Sequence, residues 1–301
     1  MTHALDSDDF FIHQVQQQCA EHRLNFFLVE PLWVESFLDR FRRGEVWSRA
    51  LLNMHSEHHL PGDVFHRLIV LADERRTKVI DPPAIAMAAF DKAQLHPKLA
   101  NAGLSAPPSI IVRREEIPAF RLTGEQKSLL GSPFVVKPSM GYGRKGVILE
   151  ATNEEGLARS AAALESPAYL LQRRIVSRMH EGNPLYFRVY HVFGTIWCCW
   201  WNCFTDAYRM LSEAECQELR LVRLQEIVRQ IARLTGMKFF SSEITQTDSG
   251  DLVLIDYVND QCHMLSQSAN PKMGVPDELV AAVAKRLVEG ARELIRENQG
   301  R

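Results

Sequence analysis

The sequence predicts an α/β chain of about two domains, a small parallel-sheet unit followed by a larger α+β part. Three observations carry this. The chain has 301 residues, about twice the roughly 150 typical of one domain. Helix-period and strand-period segments alternate over the first 83 residues, the pattern of a parallel sheet with helical crossovers. Beyond Ala106-Pro-Pro108, strands follow one another across short turns, which implies hairpins.

The first stretch reads in order. A helix is expected from His13 to about Leu24, a short buried strand over Asn25–Val29, and a helix from Pro31 to Arg43 with proline at its start. A strand over Val46–Asn53 is followed by a helix from Gly62-Asp63 to Arg75, with Asp63 as its cap. Thr77–Asp81 completes a small parallel sheet, ending at Pro82-Pro83.

Pro83 to Gly103 reads as helix, Ser109–Val112 as extended, and Pro133–Lys137 and Gly146–Leu149 as two strands joined by a glycine-rich loop. Helix returns over Glu154–Glu165 and strand over Tyr169–Val176; Tyr186–Phe204 is a strand pair broken at Gly194-Thr195. A long helix from Ser212 to Thr235 would end at Gly236, and a last helix from Pro276 to Glu297 carries Asp277 and Glu278 in its first turn.

Composition narrows the function classes. With 46% hydrophobic and 24% charged residues the chain is ordinary globular material, so neither disorder nor a repeat array is needed. A net charge of −2 excludes an extended nucleic-acid footprint but permits a local basic pocket. Met1–Phe10 carries Asp6, Asp8 and Asp9 with no apolar run behind them, unlike a secretory signal or presequence. No run reaches the roughly 18 apolar residues of a membrane helix, so no membrane partner is expected. Six cysteines in a chain large enough to form its own core predict free thiols and a cytoplasmic location. In Trp197-Cys-Cys-Trp-Trp-Asn-Cys-Phe204, alternating burial on a strand explains Cys199 and Cys203 better than zinc does.

Gly141-Tyr-Gly143-Arg-Lys-Gly146 satisfies G-x-G-x-x-G, yet a dinucleotide loop must open a helix and Val147-Ile-Leu149 is strand-like. A P-loop fails because Val147 stands where lysine is required. A kinase loop fails because Lys137 precedes the loop and no HRD or DFG follows. Two readings remain: a hairpin whose backbone N–H groups approach phosphate beside Lys137, Arg144 and Lys145, or a flexible surface hairpin.

Ser241–Thr247 and Leu252–Val258 form a second hairpin around Asp248-Ser-Gly-Asp251. With Ser249-Gly250 as a two-residue loop, Glu243 lies opposite Asp256 at a Cβ separation of about 4.5–5.5 Å. A divalent cation turns that repulsion into binding, and hard oxygen ligands suit Mg²⁺. Asn259 is a third oxygen donor but falls on the other face of a regular strand, so its use requires a bulge or strand end after Tyr257. The alternative is that both acids face solvent.

A lysine, a glycine-rich hairpin, a hinge strand and an acid-bearing strand pair ending in Asn resembles the ATP-grasp superfamily, chiefly glutathione synthetase, D-alanine:D-alanine ligase and ribosomal-protein glutamate ligases. The resemblance covers about Asp81 to Arg296. It implies two α+β subdomains, about 100–170 covering ATP and about 171–301 carrying metal and substrate, within a module at 84–301. A small Rossmann-like domain at 1–83 would precede it.

Lys92 in Phe90-Asp-Lys-Ala and Lys137 in Val-Val-Lys-Pro resemble the family's two phosphate-facing lysines, and Ser139–Gly146, with Gly141, Gly143 and Arg144, resembles its phosphate-covering loop. Tyr169–Val176 resembles the hinge strand, implying adenine contacts around Gln172, Arg173, Arg174 and Ile175. Arg188 and Lys137 correspond to catalytic groups at the transferring phosphate; Glu243, Asp256 and Asn259 correspond to the magnesium triad.

The implied activity is ATP-dependent, ADP-forming carboxylate–amine ligation through an acyl phosphate. Its cofactors are ATP and Mg²⁺, with Mn²⁺ the alternative ion, and its partners a small-molecule acid and amine, amino-acid or peptide-like. A homodimer is compatible with the family. A small-molecule kinase and a non-catalytic ATP-binding module are the alternatives.

Asp256-Tyr-Val-Asn259-Asp-Gln-Cys departs from the family's acid-x-Asn followed by Pro-Gly, which makes Asp260 an alternative third ligand. Trp200-Trp201-Asn202 stands where relatives often carry a basic residue, so the substrates and the role of residues 1–83 are left open.

Other candidates read as structural. His55-Ser-Glu-His58-His59 lies in an expected solvated loop, and His191 in a core or cleft. His263 follows the Asn259-Asp260 segment, near the expected substrate pocket. Trp197, Trp200 and Trp201 suit a planar ligand or a sheet core, and Arg173, Arg174 and Arg178 a solvated face.

Overall fold

The structure is a computed structural model and describes residues 1–3, 9–55, 60 and 62–297. The chain divides into two compact units, neither continuous in sequence. The first comprises Met1–Met87, Phe187–Ser241 and Asn259–Arg301, the second Ala88–Tyr186 and Ser242–Val258.

In the first unit β1 (Thr2–His3), β2 (Ala50–Met54) and β3 (Lys78–Ile80) form the expected parallel sheet in that order. Strand β1 escaped the sequence reading because two residues carry no periodicity. Helices α1 (Asp9–Glu21), α2 (Val34–Arg43) and α3 (Val64–Glu74) accompany it. Helix α2 buries Val34, Phe37, Leu38 and Phe41, the i, i+3, i+4, i+7 stripe of a core-facing helix, against Leu51, Phe65 and Val79 among others. Asp63 caps α3 as expected, accepting from the N–H groups of Phe65 and His66 at 2.7 and 3.2 Å.

Three expectations need correction. Asn25–Val29 is not a strand: only Val29 bridges, to Thr2, while Phe27 is 60% exposed. The single helix from Pro83 divides into α4 (Pro83–Phe90) and α5 (Lys92–Asn101), because the Asp91 side chain caps a new helix through Ala93 N and Gln94 N. Ser212–Thr235 is two helices, α8 (Glu213–Glu218) and α9 (Arg223–Thr235), interrupted where Arg220 takes φ +57°.

The two-residue strands β8 (Met179–His180) and β9 (Asn183–Pro184) form a small hairpin of their own, and strands β10 (Tyr186–Val192), β11 (Thr195–Trp201) and β12 (Tyr208–Met210) pair antiparallel, with Phe193-Gly194 as the first turn. Gly236 ends α9 in the left-handed region, as expected. Helix α10 (Asp277–Glu297) packs on α1 and against β2 and β3.

The second unit contains a four-stranded sheet ordered β4-β7-β5-β6: β4 (Ser109–Arg113), β7 (Ala168–Arg173), β5 (Phe134–Pro138) and β6 (Ile148–Ala151). Every neighbouring pair is antiparallel. The β5–β6 hairpin carries the glycine-rich loop. Helices α6 (Gly124–Leu130) and α7 (Glu155–Ala163) cover a core of Val112, Leu130, Phe134, Val136, Leu157 and Tyr169.

Strands β13 (Phe239–Gln246) and β14 (Leu252–Asn259) form the expected acid-bearing hairpin. They end the sheet order β12-β11-β10-β13-β14. The turn differs from expectation. Gly250 N donates to Thr247 O and Thr247 N to Asp251 O, both at 2.9 Å, closing a three-residue loop with Gly250 at φ +86°. The extra loop residue shifts pairing beside the turn by one, so the two-residue loop no longer supplies a reason for Glu243 to stand opposite Asp256.

Candidate active site

The second unit brings two lysines, two acids and the glycine loop together. Because Asp91 starts α5, Lys92 is its first residue, and its backbone N–H donates to Ser139 O at 2.9 Å. The Lys92 Nζ lies 3.5 Å from Asp256 Oδ1 and 3.4 Å from Gly141 O. Lys137, on β5, donates through Nζ to Ile255 O at 2.8 Å. Burial lowers the Lys137 pKa; the charges of Asp256 and Glu243 oppose that fall and Lys92 adds to it. One buried ammonium therefore feels both predicted acids.

The loop is fastened at both ends. Ser139 is fully buried; its Oγ lies 3.2 Å from Ser166 Oγ, which also accepts from Met140 N at 3.0 Å. At the far end Gly146 has φ +71°, and a Cβ there would meet Pro138 Cγ at 2.9 Å and Leu164 Cβ at 3.0 Å, so glycine is required twice over. Gly143 and Arg144 also take positive φ. Lys145 donates to Tyr142 Oη at 3.0 Å and sits over its ring. The loop is thus a hairpin pinned at its base.

The residues expected at the hinge differ in their contacts. Gln172 is buried, and its side-chain amide serves Ser109 and Tyr257. Arg173 gives its N–H to Pro108 O and its guanidinium to Leu129 O and Ser128 O. Arg174 pairs with Glu150 at 3.3 Å. Strand β7 ends at Arg173, so the backbone of Arg174 and Ile175 lies beyond its ladder.

Glu243 Oε2 accepts from Tyr186 Oη at 3.1 Å. Tyr186, Ser166 and Tyr257 are hydrogen-bond partners of site candidates that sequence reasoning missed; each contact joins segments distant in sequence, where no spacing signals it. Among the described residues no group of three His, Cys, Asp or Glu could hold a metal. The predicted donors are two carboxylates and an amide.

Arg188 and Asn259 belong to the first unit. Arg188 is buried on β10 and lies over the Trp201 ring at 4.4 Å. Strand β14 continues through Asn259, whose Nδ2 donates to Ser241 O at 3.3 Å. The nearby Asp260 is buried. Its charge, after burial, helps raise the carboxyl of Asp81 to about 7, although Asp81 accepts from the N–H groups of Lys238 and Phe239.

His191 is in the core as expected: its Nε2 accepts from Gly194 N and burial pulls it down to about 4. His263 stacks on Tyr208, and Trp200 and Trp201 are buried. His55 is not solvated, being buried against Phe65 with Nε2 at 3.3 Å from Asp63 Oδ1; residues 56–59 of that motif lie outside the described residues. All six cysteines are free thiols.

Two antiparallel sheets, a glycine hairpin between β5 and β6 and an acid-bearing β13–β14 hairpin make this the ATP-grasp fold. The chain is similar over nearly its whole length to solved ATP-grasp structures. They include D-alanine–D-alanine ligase from Bacillus anthracis complexed with ATP (13% identity, TM-score 0.66, 99% of this chain and 97% of that one). D-cycloserine synthetase DcsG gives 15%, 0.65, 97% and 99%, and a RimK domain ATP-grasp protein from Sphaerobacter thermophilus DSM 20745 gives 17%, 0.62, 96% and 98%. No protein-family model matches the chain. No curated protein matches it. Among the described residues no helix is long and apolar enough to cross a membrane.

Proposed function

We propose that the chain is an ATP- and Mg²⁺-dependent carboxylate–amine ligase. The observation that carries this is the approach of Lys92 and Lys137 to Asp256, with Lys92 also reaching Gly141 of the glycine loop, inside one unit of an ATP-grasp fold. Phosphates need cations and close backbone approach; the lysines and the hairpin supply both.

Lys92, Lys137 and the Ser139–Gly146 loop hold the phosphates, and the backbone of Arg174–Ile175 meets the adenine edge. A substrate carboxylate oxygen attacks the γ-phosphorus, the bond to ADP breaks, and an acyl phosphate forms. The amine then attacks the acyl carbon, orthophosphate leaves and the amine proton passes to solvent. Arg188 stabilises the oxyanion of that second step. Glu243 and Asp256 are hard oxygen donors of the kind Mg²⁺ takes, with Asn259 or Asp260 completing the set. Mg²⁺, when bound, supplies charge neutralisation of the phosphates. The acid and amine are small or peptide-like. We place the enzyme in the cytoplasm, with a homodimer as its assembly.

The test is Mg²⁺-dependent orthophosphate release from ATP with pooled amino acids and small carboxylates, against an ATP-only control. Pool-stimulated release with amide formation is expected. A stable phosphorylated product would instead make it a kinase, and nucleotide binding without turnover in any pool would make it a silent binder.

A further inference from the structure

Four polar side chains in the second unit are joined in one hydrogen-bonded chain, whose central members Gln172 and Tyr257 are buried. Gln172 Nε2 donates to Ser109 Oγ and to Tyr257 Oη, each at 2.9 Å, and Tyr257 Oη lies 2.6 Å from His96 Nδ1. Proton counting orients the Gln172 amide, and Ser109 Oγ also lies within hydrogen-bond reach of Tyr257. Ser109 spends its proton on Pro107 O at 2.7 Å, so it can only accept from Gln172, which orients the amide. Tyr257 Oη then accepts the second amide hydrogen and sends its own proton to His96 Nδ1. In that arrangement the neutral imidazole carries its hydrogen on Nε2.

The position of this chain gives it a use. His96 follows Lys92 by one helical turn on α5 and shares its face. Tyr257 follows Asp256 on β14 and points to the opposite side of the strand, and its carbonyl is held by Ser242 Oγ at 2.6 Å. The chain therefore ties α5 to β14 behind the 3.5 Å approach of Lys92 to Asp256.

We propose that Ser109, Gln172, Tyr257 and His96 are positioning residues that hold Lys92 against Asp256, and so set nucleotide affinity without touching the nucleotide. The proposal rests on the ATP-dependent reading above. It reassigns Gln172 from adenine contact to support, and it works in one protonation state only. An imidazolium would aim an N–H at an oxygen that already accepts from Gln172, and Nδ1 would no longer accept the Tyr257 proton. Burial lowers the His96 pKa, which keeps the ring neutral. The titratable group facing the ring from β14 is Tyr257, while β7 and β4 contribute the neutral Gln172 and Ser109; Lys92 and Lys98 are the charges on α5 itself.

The experiment has two readouts on the full chain: Mg·ADP binding by calorimetry from pH 5 to 8.5, and ¹⁵N NMR of the His96 ring without nucleotide. Wild type should show the Nε2–H tautomer and lose affinity on the acid side. Tyr257→Phe and His96→Leu should bind Mg·ADP about tenfold more weakly at pH 7.5. His96→Asn, whose Oδ1 replaces the Nδ1 acceptor, should stay within about twofold of wild type and lose the acid-side weakening. The proposal is overturned by an Nδ1–H tautomer in wild type, by His96→Asn keeping the wild-type pH profile, or by His96→Leu binding as tightly as wild type. If Tyr257→Phe does not fold, the two His96 variants decide. Absence of Mg·ADP binding by wild type at every pH would sink the ATP-dependent reading and this role together, whereas the tautomer would still report the hydrogen-bond chain.

Discussion

Lys137 reaches across 118 positions of sequence to give its ammonium to the carbonyl of Ile255, the residue before Asp256. That contact binds β5 to the acid-bearing β14. Replacing Lys137 by Met removes the buried ammonium that feels both Asp256 and Glu243. Turnover should fall at least about 100-fold, and Mg·ADP affinity should fall with it. Steady-state kinetics together with calorimetry check this, and a fully active Lys137→Met variant would remove the lysine from the mechanism.

Gly146 and Gly143 separate steric need from conformational need. Both have positive φ, but a methyl at Gly146 collides with Pro138 and Leu164, whereas one at Gly143 meets nothing within 4 Å. Gly143→Ala should cost about 1 kcal/mol of local strain. Gly146→Ala should cost about 1–3 kcal/mol more and weaken nucleotide binding over tenfold. Thermal unfolding and Mg·ADP titration of the two variants provide the comparison; equal behaviour would contradict the collision.

Arg188 lies over the Trp201 ring on a strand of the first unit. If it stabilises the oxyanion, Arg188→Ala should lower kcat about 100-fold while changing KM for ATP far less. A KM effect without a kcat effect would make it a binding group.

Asp81 has a carboxyl raised to about 7, chiefly by burial, from an ordinary 3.8. The folded chain therefore holds a proton that the unfolded chain releases. The stability this contributes is complete below pH 3.8 and is lost as pH rises through about 7, a few kcal/mol in all. Urea unfolding at pH 5 and pH 8 should show that slope, and Asp81→Asn should flatten it.

Gly290 on α10 faces the Phe193 ring, where a Cβ would lie 2.4 Å from ring carbons. Arg286, one turn earlier, also donates to Phe193 O at 2.9 Å. Gly290→Ala should destabilise the fold by about 1–3 kcal/mol, seen as a lower midpoint in thermal unfolding.

What the sequence made legible was local. The Asp63 cap, the Gly236 stop and the β5–β6 hairpin each depend on a few neighbouring residues. So did the positions of Lys137, Glu243 and Asp256 within their strands, whereas Lys92 was singled out by family resemblance. Misreadings arose where one residue altered a repeat: Asp91 starting a helix inside a helical run, Arg220 breaking another, and Gly250 lengthening a turn by one. Tyr186 against Glu243 and His96 against Tyr257 were invisible, since those contacts join segments far apart in the chain. Gln172 was found as a position but not as a role, because a hinge strand's spacing does not say which way its amide points.

Helix α10 lies against α1, β2 and β3, and its residues Leu287, Val288 and Ala291 help line an apolar cavity with Val15, Leu51 and Ile80. The earliest sheet of the chain thus takes part of its cover from residues 277–297. During synthesis that sheet must wait, with apolar surface uncovered, until residues 277–297 have emerged. Its completion is a late and long-range event, the kind of delay that leaves an emerging polypeptide dependent on protection from aggregation.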